Sequence, residues 1–308
     1  MINLEVVVLG SGCATPIPER WHASFAVLFD GEPILFDAGE GAQIRLQQAK
    51  INAMRVNHIF ITHLHGDHWF GLPGLIFTMD LQGRKKPLTI HGPSGLRTTL
   101  RRFLASSEHG VKFPLKFHEV PVPKTGRIPV VMLEEERFKV LAVPINHTIA
   151  GFSYAFVEKD GACIDKAKLS ALGIKKKGPF LEDVRSGRTV TVEGIKVRPK
   201  DILIMRKGRK IAISGDTRPT RGLISLAKGA RLLVHEATYT DDLQETAVSH
   251  KHSTISEAAN VAKSAKVEEL LLVHFSKRYA KLESVMLAAA KKTFRNTVIG
   301  EDLLRIKL

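Results

Sequence analysis

Two cysteines in 308 residues, Cys13 and Cys163, are too few for a disulfide framework and too far apart for a cysteine-based zinc site. Acidic side chains are also scarce. Asp and Glu number 31 against 46 Lys and Arg, which leaves +15 at neutral pH and a sequence pI of about 9.9. So one-sided a balance speaks for a polyanionic partner, nucleic acid ahead of a membrane surface. No apolar run approaches the roughly 20 residues needed to cross a bilayer. The opening Met1–Gly10 has no basic start, and its apolar stretch is too short for a signal peptide. The expectation is a soluble cytoplasmic chain, without internal repeats or low-complexity segments.

With 44% hydrophobic residues the chain has ample material for a core. Its chemistry concentrates in Ile59–Phe60–Ile61–Thr62–His63–Leu64–His65–Gly66–Asp67–His68. The stretch up to Thr62 reads as a buried strand, and the polar cluster sits where that strand runs out. On extended backbone, residues two apart point the same way, so His63 and His65 converge on one point. Gly66 lets the chain bend, and Asp67 and His68 then reach a second position nearby. Imidazoles with a carboxylate are a ligand set that zinc prefers, and positions left open to water make such a site catalytic.

Along the rest of the chain, Phe25–Phe29 and Pro33–Phe36 read as a hairpin around Asp30–Gly31. Gly10–Ser11–Gly12–Cys13 lacks the third glycine of a dinucleotide fingerprint, and Pro16 stands where a helix would open; no nucleotide cofactor is assigned. Pro93–Ser107 reads as an amphipathic helix carrying Arg97, Arg101 and Arg102, with proline at its start. Thr254–Ala265 and Leu282–Thr293 read as further helices. His91, His109 and His118 show no ligand spacing and are assigned structural roles. From about 165 to 199 the apolar periodicity weakens and nine Lys and Arg crowd in, among them Lys175, Lys176, Lys177, Arg185 and Arg188, with Gly178–Pro179 at the centre. A protruding arm needs few core residues, and one that grips phosphates needs many cations.

Thr62–His63–Leu64–His65–Gly66–Asp67–His68 resembles the signature loop of the metallo-β-lactamase superfamily. That resemblance implies an α/β chain of the metallo-β-lactamase fold, a four-layer αβ/βα sandwich, as one domain over residues 1–308 with an inserted basic arm at 165–199. It also implies a dinuclear centre of two Zn2+ per subunit. His63, His65 and His147 would hold one ion, Asp67, His68 and His274 the other, and Asp216 would bridge them. Asp37, in Asp37–Ala38–Gly39–Glu40–Gly41–Ala42–Gln43, matches a carboxylate that accepts the outer N–H of a ligating imidazole.

Several further segments resemble ribonuclease Z, the endonuclease family that trims the 3′ trailer from precursor tRNA. They are Leu169–Pro179, similar to a flexible tRNA-binding arm, His235–Glu236–Ala237–Thr238, His252–Ser253–Thr254, and His274–Phe275–Ser276–Lys277–Arg278–Tyr279. The resemblance implies Asp67 as general base, His252 oriented by Glu236 as proton donor with His235 beside them, and an arm using Lys175, Lys176, Lys177, Gly178, Pro179, Arg185 and Arg188 on RNA. It implies a homodimer in which one subunit's arm serves the other's site. The alternative is a hydrolase of the same superfamily acting on a small ester or thioester.

Overall fold

A computed structural model describes residues 3–108, 110–123, 126, 128–174 and 178–308. The first strand, β1 (Leu4–Gly10), is buried on both faces. Val6 and Val8 point into one apolar cluster, Val7 and Leu9 into another. A strand apolar on both sides must lie between two layers. It is followed by β2 (Ser24–Phe29), β3 (Glu32–Phe36), β4 (His58–Phe60), β5 (Leu88–Pro93) and β6 (Leu115–Val120). Together with the last strand, β18 (Arg305–Lys307), they form a sheet in the order β18-β1-β2-β3-β4-β5-β6. The β2–β3 hairpin turns at Asp30 and Gly31, with φ of 55° and 80°, the left-handed pair that suits a tight hairpin. From β3 to β6 the pairing is parallel.

A second sheet is built from β7 (Val130–Glu134), β8 (Phe138–Pro144), β9 (Phe152–Glu158), β14 (Lys210–Ile213), β15 (Leu232–Glu236), β16 (Glu269–Val273) and β17 (Thr297–Ile299), ordered β17-β16-β15-β14-β9-β8-β7. Phe25, Phe36, Phe60, Phe152, Tyr154 and Phe156 fill the seam between the sheets. Helices Ala42–Gln48, Gly71–Leu81 and Leu96–Ala105 cover the first sheet, and helices Arg221–Ala227, Ile255–Ala265 and Glu283–Thr293 cover the second. The result is the expected four-layer sandwich. The sheets are stitched where chemistry is expected. Phe152 donates its N–H to the Thr62 carbonyl (2.8 Å), and the Tyr154 hydroxyl donates to that of Ile61 (2.8 Å). No helix among the described residues is long and apolar enough to cross a membrane.

Two expectations change. Pro93 ends β5 instead of opening a helix; the helix begins at Leu96 after Gly95, whose φ of 99° suits glycine. The stretch expected to form the arm is better folded than its weak periodicity implies. Strands β10 (Gly161–Ile164) and β13 (Leu203–Arg206) form a two-stranded stalk, β11 (Val190–Val192) and β12 (Ile195–Val197) a second ribbon. Between them Leu169, Ile174, Val184, Val197 and Ile202 make a small core of their own. Lys175, Lys176, Lys177 and His109 lie outside the described residues.

His58, His91 and His118 form a chain across β4, β5 and β6. The His58 Nδ1–His91 Nε2 distance is 3.1 Å, His91 Nδ1–His118 Nδ1 is 3.3 Å, and His118 Nδ1 lies 2.8 Å from the Met132 carbonyl. His91 also stacks on Phe60, ring centres 4.2 Å apart. Burial first, then the flanking imidazoles, push His91 down to about 3. In the unfolded chain it titrates near 6.5, so its contribution to stability is complete above that pH and is lost as pH falls toward 3, by at most about 1.4 kcal/mol per pH unit. His91→Gln is therefore expected to flatten the fall in Tm between pH 6.5 and pH 4; an unchanged slope in thermal melts would show that His91 does not carry it.

Candidate metal centre

The metal-site candidates arrive at one edge of the sandwich, each just beyond a strand: the His63–His68 segment after β4, His147 after β8, Asp216 after β14 and His274 after β16. One atom each from His63, His65, His147 and Asp216 lies within 4.8 Å of the others, and the same holds for Asp67, His68 and His274. His65 Nδ1 is 3.0 Å from His63 Nε2 and 3.2 Å from His147 Nε2. Asp216 Oδ2 stands between the groups, 3.8 Å from His63 Nε2, 3.4 Å from His68 Nε2 and 3.3 Å from His274 Nε2. Asp67 Oδ2 is 3.4 Å from His274 Nε2 and 3.7 Å from His68 Nε2.

The outer hydrogen bonds decide which lone pairs face inward. His68 Nδ1 donates to Asp37 Oδ2 at 2.7 Å, and Asp37 is fixed in turn by the Thr62 N–H (2.7 Å) and hydroxyl (2.9 Å). The Thr62 hydroxyl, having donated to Asp37, accepts from His63 Nδ1 at 3.0 Å. His147 Nδ1 donates to the Lys251 carbonyl (2.9 Å). His274 Nδ1 donates to the Thr238 hydroxyl (2.9 Å), which donates to Glu236 (2.7 Å). Four imidazoles thus have Nδ1–H tied outward and Nε2 turned inward, the tautomer that a metal selects. His65 is the exception and turns Nδ1 to the same point. Among the described residues His68 Nε2 is buried with no hydrogen-bond partner, so the donor set fits a zinc-type cation.

Charge tells the same story. Burial opposes protonation of His68, but Asp216, Asp37 and Asp67 outweigh it and hold the ring well above the usual histidine value. That is the pull of a carboxylate cluster on any cation placed among them. The backbone is bent to supply this geometry: Asp37 and His274 have φ of 57° and 61°, uncommon for residues with a side chain. His274 is held there by its N–H on the Ser11 carbonyl (2.8 Å), which gives the glycine loop its role. Beneath Asp37, a Cβ on Gly71 would lie 1.9 Å from the Gly39 carbonyl oxygen, so only glycine lets the two turns meet.

His252 stands beside the cluster, Nδ1 3.0 Å from Glu236 Oε1 and 3.9 Å from Asp216 Oδ2, its ring stacked against that of His274. Burial would lower it, yet the Glu236 carboxylate raises it to about 9. Glu236 is buried and also accepts the Thr217 N–H (2.9 Å). His235 does not join this group. Neighbours on a strand face opposite sides, and with Glu236 turned to the ligand cluster His235 points away, Nδ1 donating to the Glu236 carbonyl (2.7 Å). Thr62, Thr217 and Thr238, which hold the ligands and Glu236 in place, escape a sequence reading because threonine just beyond a strand is ordinary; their signal is that they lie within two residues of His63, Asp216 and Glu236. In the arm, Arg185 and Arg188 are exposed but pair with Glu182 (3.3 Å) and Asp183 (2.5 Å), and Pro179 caps the helix Phe180–Arg185 behind Gly178.

A sequence-family model described as "Anti-Pycsar protein Apyc1" matches residues 4–164, the half that carries His63, His65, Asp67, His68 and His147. Other similarities span both halves. The ribonuclease Z of Methanocaldococcus jannaschii is 38% identical over 311 residues, covering 98% of this chain and 96% of that protein. The crystal structure of the short form of human tRNase Z superposes with a TM-score of 0.72 at 31% identity, covering 98% of each chain. The metallo-β-lactamase fold protein YhfI from Bacillus subtilis, at 16% identity, TM-score 0.70 and full coverage of both chains, shares the fold alone. Ligand geometry, architecture and full-length identity lead to one assignment: this chain has the metallo-β-lactamase fold and belongs to the ribonuclease Z family.

Proposed function

We infer that the chain is a metal-dependent endoribonuclease that removes the 3′ trailer from precursor tRNA, leaving a 3′-hydroxyl on the tRNA and a 5′-phosphate on the trailer. The observation that carries this reading is the placing of Asp216 between two ligand groups whose other members come from both sheets. His63, His65 and His147 would hold one Zn2+, Asp67, His68 and His274 a second, and Asp216 would touch both. Such a pair supplies a water acidified toward a pKa of ~7 and positive charge for the attacking and leaving oxygens of an in-line displacement. Asp37 orients His68 for that task.

The protein's own groups handle the protons. Burial works against ionisation of Asp67, but His68 and His274 outweigh it and keep its carboxyl below the usual range, so it is present as a carboxylate; the general-base role given to it rests on its place among the ligands beside the attacking water. His252, whose Nδ1–H is held by Glu236, presents Nε2–H to the departing 3′-oxygen. A-form RNA is recognised by shape and backbone, which suits an arm carrying nine cations against four acids. The arm would hold the tRNA body while the 3′ end reaches the metals. A homodimer in the cytoplasm, each arm serving its partner's site, completes the proposal.

Incubation with end-labelled precursor tRNA is expected to give a single cut with these end groups, abolished by chelator and restored by zinc; fewer than about one zinc per chain after gentle purification would count against the dinuclear reading. His252→Ala should keep zinc and tRNA affinity while slowing the cut about 100-fold or more, and wild-type turnover would strike His252 from the catalytic groups. Replacing residues 161–206 by a short Gly-Ser linker should abolish tRNA binding yet spare hydrolysis of bis-nitrophenyl phosphate. Equal loss of both would refute the role given to the arm.

A further inference from the structure

Arg218 makes contacts that neither the fold nor the ligand set requires. Its N–H donates to the Asn146 carbonyl at 3.0 Å, just before His147. Its guanidinium, little exposed, donates from Nη1 to the His252 carbonyl (2.7 Å) and to Glu257 Oε2 (2.6 Å), while Nη2 closes a two-pronged pair on Glu257 Oε1. Glu257 is held by the Thr254 N–H (2.9 Å) and the Gln244 amide (2.8 Å), so the fork rests on the rigid start of helix Ile255–Ala265. The preceding residue works the same way: the Thr217 hydroxyl accepts the Asn146 N–H (2.9 Å), and its carbonyl accepts the Ser253 hydroxyl (2.6 Å).

A cation at a helix N-terminus is opposed by the helix dipole, and withdrawing an ion pair from water is costly. The net gain in stability from the intact pair is therefore small. What the fork provides is position. His252 lies in the short loop between helices Gln244–His250 and Ile255–Ala265, and its backbone is otherwise fixed by its N–H on the Ala247 carbonyl (2.9 Å). We propose that Arg218 is a positioning residue: it draws the carbonyl of His252 onto the segment that follows Asp216, and so fixes the imidazole relative to the metal ligands. The proposal rests on the reading of His252 as proton donor to the leaving oxygen.

The test is a double-mutant cycle under single-turnover conditions on precursor tRNA, with zinc content, tRNA affinity and Tm measured alongside. Arg218→Met should retain zinc and tRNA affinity and slow the cut about 30-fold. Arg218→Lys, which can reach the carbonyl but cannot grip Glu257 with two prongs, should recover part of that loss and serves in the cycle if the Met variant folds poorly. In a His252→Ala background neither change should slow the reaction further, because no imidazole remains to be placed. The same factor in both backgrounds, a loss of zinc, or wild-type turnover in Arg218→Met would overturn the proposal. Wild-type turnover in His252→Ala alone would instead remove the donor reading beneath it.

Discussion

Mutual repulsion of inward-facing lone pairs is the constraint on which the rest of this molecule depends. His63, His65, His68, His147, His274, Asp67 and Asp216 bring nitrogen and oxygen lone pairs into one small, largely buried volume. Desolvated groups of this kind cost several kcal/mol each unless a partner compensates. A cation is that compensation, and the protein must hold the ligands together firmly enough to select it. The sandwich does so by bringing each ligand segment off a strand end and by tying four imidazoles outward through Asp37, Thr62, Thr238 and the Lys251 carbonyl.

The same requirement explains the backbone irregularities. A strand that simply continued would carry Asp37 and His274 past the site. Both residues adopt positive φ instead, and local hydrogen bonds secure them: Asp37 N–H on the Phe60 carbonyl, His274 N–H on that of Ser11. Ser11 is itself fastened to Asp302 through its N–H (2.9 Å) and hydroxyl (2.7 Å). The chain's first and last segments thereby brace a ligand contributed from between them.

Local signals were readable from sequence and distant ones were not. His63, His65, Asp67 and His68 lie within six residues, so closeness along the chain alone places them near one another. His147, Asp216 and His274 carry no local mark of convergence, and only resemblance singled them out. The opposite orientation of His235 and Glu236 was available from the two-residue period of a strand, yet shared membership in one motif obscured it. Proline misled at Pro93 because a strand end tolerates it as readily as a helix start. In the arm, Leu169, Ile174, Val184, Val197 and Ile202 follow no single period, since they come from short helices, a turn and a ribbon. Periodicity sees one element at a time, and this core exists only among several.

That separate core has a structural consequence. A body that carries its own interior and is joined by the four-residue strands Gly161–Ile164 and Leu203–Arg206 hangs from the sandwich on one pair of strands and supplies none of the candidate ligands. The length and surface of that body are open to change without replacing a single candidate ligand. Residues 161–206 and the candidate ligands are thus separate parts of the fold, free to evolve, or to be re-engineered by grafting, independently of each other.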